Sequence, residues 1–314
     1  MEYLKQERSG TGAKKILFTG LDTAGKTSII LTMQKEYSKI AYVSPTKGAQ
    51  RRIFKFLDLE VSEWDLGGQS AYRISYLKNP DKYFDNTEVA IFVIDIQNKT
   101  RVSEAVSYLS DVVNQFKTLK IAPPLYIFWH KFDPDLSKKT KQDYINLMNT
   151  WEGKLRSELH VKVDSCYLTS VYDVPTIIYA ISEILLALYP KSELIKKTIS
   201  EYCNKINCDR MLLLDPNSLL VGSFCKEQDN ADFLSASMPH FIKFHDALRR
   251  NKILNDDPEN QIIIQQPKSY LLLKKILLKE GTLPFYLLVQ KKGKYFYQED
   301  FEPLINILRE IIYK

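Results

Sequence analysis

Short apolar runs alternate with amphipathic segments through the first 190 residues. "KKILFTG" is a brief apolar run ending in Gly20, and "KTSIILTMQKEY" follows with Ile29, Ile30, Met33 and Tyr37 at helical spacing. After a polar stretch come "RRIFKFLDLE" and "VSEWDLGG", then the wholly apolar "EVAIFVIDI" and "PPLYIFWHKFD", each followed by a helical pattern, and finally "CYLTSVYD". Uninterrupted apolar strands separated by amphipathic helices predict an α/β fold, a mostly parallel six-stranded sheet with helices on both faces. "RRIFKFLD" stands apart, because its basic start and Lys55 between Phe54 and Phe56 suit a half-wet edge strand.

Near "ISEILLALYPKSELIKK" the pattern changes. Pro190 stops one helix and Ser192 is placed to cap the next, which sets a domain boundary there: residues 1–13 form an N-terminal extension, 14–190 the first domain and 191–314 the second. The second domain reads as a helix and a hairpin "DRMLLLDPNSLLVGSF" turning at Pro216-Asn217, followed by a helix "ADFLSASMPHFIKFHDALRRNK". Three strands then lead to a final helix with Ile305, Leu308, Ile311 and Ile312 on one side, giving a small α+β layer.

Composition narrows the functional classes. With 314 residues, 45% hydrophobic and 26% charged, the chain is globular and long enough for two domains. No stretch approaches the ~18 to 20 apolar residues of a membrane span. The charged start "MEYLKQERSG", Glu2 where acylation would need glycine, and a carboxyl end "REIIYK" lacking Cys lead to the expectation of a cytoplasmic chain without its own transmembrane or lipid anchor. Cys166, Cys203, Cys208 and Cys225 have no framework or metal spacing and read as reduced thiols. The net charge of +6 is spread without the dense stripe of a nucleic-acid footprint, so nucleic acid is not expected as a partner.

Chemistry enters at "GLDTAGKTS", directly after the first strand. Gly20-x4-Gly25-Lys26-Thr27 matches the P-loop pattern, in which backbone N–H groups of Asp22, Thr23, Ala24, Gly25 and Lys26 wrap phosphates at a helix N-terminus. Lys26 then reaches the outer phosphates, while the hydroxyl of Thr27, next to Ser28, binds Mg²⁺. "WDLGGQ" supplies the second metal-side element: Asp65 at a strand end holds the ion, and Gly67, beside Gly68, lets a backbone N–H approach the γ-phosphate. Thr46 in "VSPTKG" is placed to complete the metal shell only while that phosphate is present. For the base, Asp133 in "HKFD" can accept from N1–H and the 2-amino group of guanine, whereas adenine would leave the carboxylate unpaired. Lys131 lays its stem along the base, and Ser170 and the Val171 N–H reach the base edge.

These elements, "GLDTAGKTS", "PTKG", "WDLGGQ", "HKFD" and "LTSVYD", make residues 14–189 resemble a small GTPase of the Ras superfamily, Arf-like in the wording of the first and third. His130, where most of that superfamily has Asn, together with "LTSVYD", "DKYFDNTEVAIFVIDI" and the long carboxyl-terminal region, is similar to the Rag/Gtr GTPases. The resemblance implies a roadblock/longin fold for the second domain and dimerisation through it, with itself or a related subunit. It also implies GTP/GDP and Mg²⁺ as ligands, activating and exchange factors as partners, and docking on an internal membrane through a roadblock-type scaffold. Nutrient signalling to the TOR growth kinase belongs to the same implication. Gln69 resembles the glutamine that orients the attacking water. No arginine precedes Thr46 in "AYVSPT", so turnover is expected to be slow, on the order of 10⁻⁴ to 10⁻³ per second, without a partner. Two alternatives remain open: an Arf-like trafficking GTPase with an unrelated appended domain, and a scaffold that binds nucleotide without hydrolysing it. Tyr42, Tyr72 and Tyr76 suit either a partner surface or packing on the sheet, and His240 and His245 read as plain core or surface histidines.

Overall fold

The structure is a computed structural model that describes residues 12–158, 160–226 and 261–313. The first unit is built on a six-stranded sheet of β1 (Lys14–Gly20), β2 (Ala49–Phe56), β3 (Leu59–Leu66), β4 (Thr87–Asp95), β5 (Leu125–His130) and β6 (Ser165–Thr169), in the order β2-β3-β1-β4-β5-β6. Neighbours run parallel except β2 and β3, which are antiparallel. The apolar runs β1, β4 and β5 fill the middle of the sheet, as two-sided burial requires. β2 is an edge strand with Lys55 exposed and Phe56 buried, in line with its mixed pattern.

The helices are α1 (Lys26–Met33), α2 (Tyr37–Ile40), α3 (Ser70–Lys78), α4 (Pro80–Tyr83), α5 (Val102–Thr118), α6 (Lys138–Ser157) and α7 (Val174–Leu188). In α5 the buried residues Val102, Ala105, Val106, Leu109, Val112 and Phe116 recur at three- and four-residue steps, forming one apolar stripe. That stripe packs with Leu17 of β1, Phe92 of β4 and Ile127 and Trp129 of β5. Each such Val, Leu, Ile or Phe side chain contributes roughly 1.5–3 kcal/mol through burial. Because the parallel strands point the same way, their carboxyl ends converge on one rim, where ligand loops belong in this architecture.

The chain divides into compact units Met1–Ile177 and Ile178–Lys314, so the division falls inside α7, ahead of Pro190. Ser182 of α7 accepts a hydrogen bond from the Leu220 N–H at 2.9 Å within the second unit. That unit contains α8 (Ser192–Lys205) and α9 (Glu302–Tyr313), with β7 (Arg210–Leu214), β8 (Leu220–Cys225), β9 (Gln261–Gln265), β10 (Tyr270–Ile276) and β11 (Phe285–Lys291). The strands form an antiparallel sheet ordered β8-β7-β11-β10-β9. Asp215 shapes the β7–β8 turn by accepting from the N–H groups of Asn217 at 2.8 Å and Leu219 at 2.7 Å.

Three local expectations change. Lys191, not Ser192, occupies the N-cap position of α8, and no side chain caps it. In α9 the buried stripe is Leu304, Leu308, Ile311 and Ile312, because Leu304 takes the inward place expected for Ile305. Cys203 and Cys208 are joined by a disulfide, leaving Cys166 and Cys225 as free thiols; the Cα atoms of the bonded pair are 5.0 Å apart across the turn that follows α8. The helix expected over 231–252, with His240 and His245, lies outside the described residues. Among the described residues no single helix is long and apolar enough to cross a membrane.

Candidate functional site

The parallel strands β1, β3, β5 and β6, with the loop that precedes β2, deliver the predicted residues to one rim. β1 runs into the Gly20–Gly25 loop, and Gly25, with φ +99°, is the N-cap residue of α1. A side chain there is excluded twice over: the backbone is left-handed, and an added Cβ would sit 2.4 Å from the His130 ring. Lys26 is buried, and its ammonium donates to the carbonyls of Leu21 at 2.7 Å and Gly20 at 3.1 Å. Burial lowers its pKa to about 8, opposed by the carboxylates of Asp65 and Asp22.

The three residues expected around a metal come together. Thr27 Oγ1 donates to Asp65 Oδ2 at 2.6 Å and lies 2.8 Å from Thr46 Oγ1, which is 3.2 Å from the same carboxylate oxygen. Asp65 is 1% exposed, yet its Oδ1 has no hydrogen-bond partner. A buried acceptor left unpaired beside two hydroxyl oxygens fits a hard, oxygen-seeking cation such as Mg²⁺.

The "WDLGGQ" segment differs in one respect from expectation. The Gly67 N–H donates to the Gly48 carbonyl at 2.9 Å, extending the β2–β3 pairing, so it is not aimed into the pocket. Gly68 and Gln69 take the wall position instead. Gly68 approaches the phosphate loop so closely that a Cβ would meet the Asp22 nitrogen at 2.1 Å. Gln69 sits at the N-cap position of α3 without capping it by its side chain.

A cleft of about 470 Å³ joins these groups to the base-side residues. Asp22, Thr23, Gly25, Lys26, Thr27, Ser28 and Thr46 line one end, and His130, Lys131, Asp133 and Val171 line the other. Gly20, Ala24, Asp65, Gly67 and Ser170 are not on its wall.

At the base end His130 is 1% exposed, with Nδ1 2.9 Å from the hydroxyl of buried Thr169. Burial, helped by the neighbouring Lys131 charge, lowers the imidazole pKa to about 3, so the ring is neutral at physiological pH. Asp133 accepts from Ser170 Oγ at 2.5 Å on Oδ1 and from Gln97 Nε2 at 2.8 Å on Oδ2. Each carboxylate oxygen carries two acceptor sites, so two stay available for a donor pair such as guanine N1–H and its 2-amino group. Lys131, at φ +66°, is anchored through its ammonium to Asp95 Oδ2 at 2.7 Å.

The motif reading missed Asp95, Gln97, Arg101 and Tyr172. Asp95 and Gln97 lie at the carboxyl end of β4, the one central strand end to which no motif had been assigned, and the rule that ligands gather at such ends signals both. Arg101 Nη2 pairs with Asp22 Oδ1 at 2.8 Å and Nε with Glu104 Oε2 at 3.0 Å; Arg73 of α3 meets Glu104 Oε1 at 2.5 Å. The Arg101 hydrogen bond holds the Asp22 carboxyl below its ordinary range. The tyrosines separate: Tyr42 is 87% exposed, Tyr72 packs partly against the core, and Tyr76 is buried within it.

The family model described as the Gtr1/RagA G protein conserved region matches residues 15–243. A Ras-related GTP-binding protein A from Dictyostelium discoideum is 26% identical over 223 residues, covering 70% of this chain and 72% of that protein. An ADP-ribosylation factor-like protein 3 from Caenorhabditis elegans is 35% identical over 135 residues, 42% of this chain and 69% of the relative. Among solved structures, the Arl6 BBS3 small GTPase from Trypanosoma brucei, with bound GppNp, aligns at TM-score 0.39 and 17% identity over 53% of this chain and 91% of its own. With the family model matching residues 15–243, from the first unit into the second, and the residues expected at phosphate, metal and base gathered on one rim, the chain is a member of the Gtr1/RagA family of G proteins.

Proposed function

We propose that this chain is a guanine-nucleotide switch that binds GTP or GDP with Mg²⁺, hydrolyses GTP slowly and acts through protein partners. The observation that carries the reading is the meeting of Thr27, Thr46 and Asp65 within 2.6–3.2 Å, with Asp65 Oδ1 unpaired. Thr27, Thr46 and Asp65 would hold Mg²⁺, whose charge would offset the negative oxygens of the phosphate chain. Lys26 and the amides at the start of α1 bind the phosphates, and Asp133 selects the base with Lys131 beside it. Gln69 orients the attacking water. Loss of the γ-phosphate removes the reason for Thr46 to stay at the metal, so its loop relaxes and the surface around exposed Tyr42 changes.

The second unit, in this reading, is a roadblock/longin-like layer through which the chain dimerises with itself or a related subunit. Activating and exchange factors, a membrane scaffold and growth signalling follow from family membership as further parts of the proposal. The cytoplasm, with recruitment to an internal membrane by partners, is the proposed location.

Single-turnover hydrolysis of γ-labelled GTP by the full chain tests the switch. Phosphate release at roughly 10⁻⁴ to 10⁻³ per second, lowered in Gln69→Leu, is the expected result. Release no faster than in that variant, with nucleotide still bound, would leave a non-hydrolysing scaffold in its place.

A further inference from the structure

The base-recognition residues on the β5 loop do not hold their own positions. One side-chain amide from another strand end, Gln97, reaches both of them: Nε2 donates to Asp133 Oδ2 at 2.8 Å and to the Lys131 carbonyl at 2.8 Å. Both partners are acceptors, so only the NH₂ end of the amide fits, and its two hydrogens are used once each. The Gln97 backbone N–H donates to Asp95 Oδ1 at 3.0 Å, while Asp95 Oδ2 holds the Lys131 ammonium. The tip of β4 therefore grips the recognition loop at a carboxylate, a carbonyl and an ammonium.

We propose that Gln97 is the positioning residue that sets guanine selectivity, an inference that rests on the guanine-nucleotide reading above. Two features of the loop require such a holder. Lys131 adopts a left-handed backbone, which disfavours a residue with a side chain, and the bond to its carbonyl offsets part of that strain. Asp133 must present its two remaining acceptor sites in one plane, matching adjacent N1–H and 2-amino donors. Ser170 fixes only Oδ1, and one bond leaves the carboxylate free to swing about its Cβ–Cγ axis. Gln97 on Oδ2 stops that rotation. The base then meets a flat, oriented pair of acceptors rather than a single mobile charge, and the 2-amino group gains most, because it needs both oxygens placed at once.

The test compares GDP with IDP, which lacks the 2-amino group, by calorimetry on nucleotide-freed full chain in Mg²⁺ buffer. Gln97→Met keeps length and removes both donors. It is expected to weaken GDP about tenfold and IDP only about threefold, the scale of a lost hydrogen bond to a charged group, so the GDP/IDP preference falls. Gln97→Glu puts a carboxylate against a carboxylate and is expected to weaken GDP about a hundredfold, recovering in part as the pH is lowered. An unchanged GDP affinity in Gln97→Met, or equal weakening of GDP and IDP, would overturn the proposal, the latter leaving Gln97 with a merely structural role. Failure of the unsubstituted chain to bind either nucleotide would instead overturn the guanine reading on which it stands.

Discussion

The two ends of the cleft are built on different principles. At the end proposed for the phosphates, the groups offered are backbone amides, a buried ammonium and hydroxyls, and one of them, that of Thr46, belongs to a polar loop whose neighbours Tyr42 and Val43 are exposed. At the end proposed for the base, the groups offered are side chains at the tips of buried strands, cross-braced by Thr169, Ser170, Asp95 and Gln97. In the proposed reading one end responds to charge and moves, while the other stays still and judges shape. A switch needs this division, because the base is common to both nucleotide states while the γ-phosphate is not.

Substitutions at the two ends should therefore fail in different ways. The largest effect is expected from Asp133→Ala, which removes both base contacts. GTP and GDP should weaken alike, by roughly a thousandfold in calorimetry, since the site is built around those hydrogen bonds. Unequal weakening would mean that the base end also reads the phosphate state. Next comes His130. Its folded pKa of about 3 lies below the ordinary 6.5, so between those values the unfolded chain binds the extra proton and stability falls as pH falls. From pH 6.5 to pH 4.5 this amounts to about 2 kcal/mol, present in the original chain and missing from His130→Asn when urea unfolding is compared at both pH values. Parallel pH profiles would show that the ring is not held neutral by burial. The smallest effect belongs to Thr46→Ala, which should weaken GTP in Mg²⁺ about tenfold and leave GDP unchanged. An equal loss for both would make Thr46 a fixed part of the site rather than a sensor.

How far the sequence discloses this site follows the same division. Lys26, Thr27 and Asp65 are legible because phosphate and metal chemistry demands those residue types at fixed spacing next to a strand end. Asp133, which the structure places on the same cleft, could be picked out because a guanine reading calls for a carboxylate just past a strand end. Gln97 and Asp95 are not, since many side chains could brace a loop and only the parallel pairing of β4 with β5 shows that these two do. The apolar runs disclose the central strands for the same reason: two-sided burial leaves no freedom of composition. Where burial is one-sided the reading slips by a residue, as with Leu304 in place of Ile305, or misses a cap, as at Lys191. Cys203 and Cys208 escaped because five positions of separation say nothing until a helix end folds back on itself. Tyr72 and Tyr76 could not be divided by pattern, as both lie on a short helix whose inward face depends on how α3 meets α5.

The contact between Gly25 and the His130 ring has a consequence for how sequences of this kind can drift. Residue 130 leans on Gly25, where any methyl would collide with its ring, so bulk can be traded between these positions only in concert. Related chains that keep an imidazole here are bound to keep glycine opposite, whereas those that carry something slimmer are released from half of that constraint, the steric half, and keep only the backbone half.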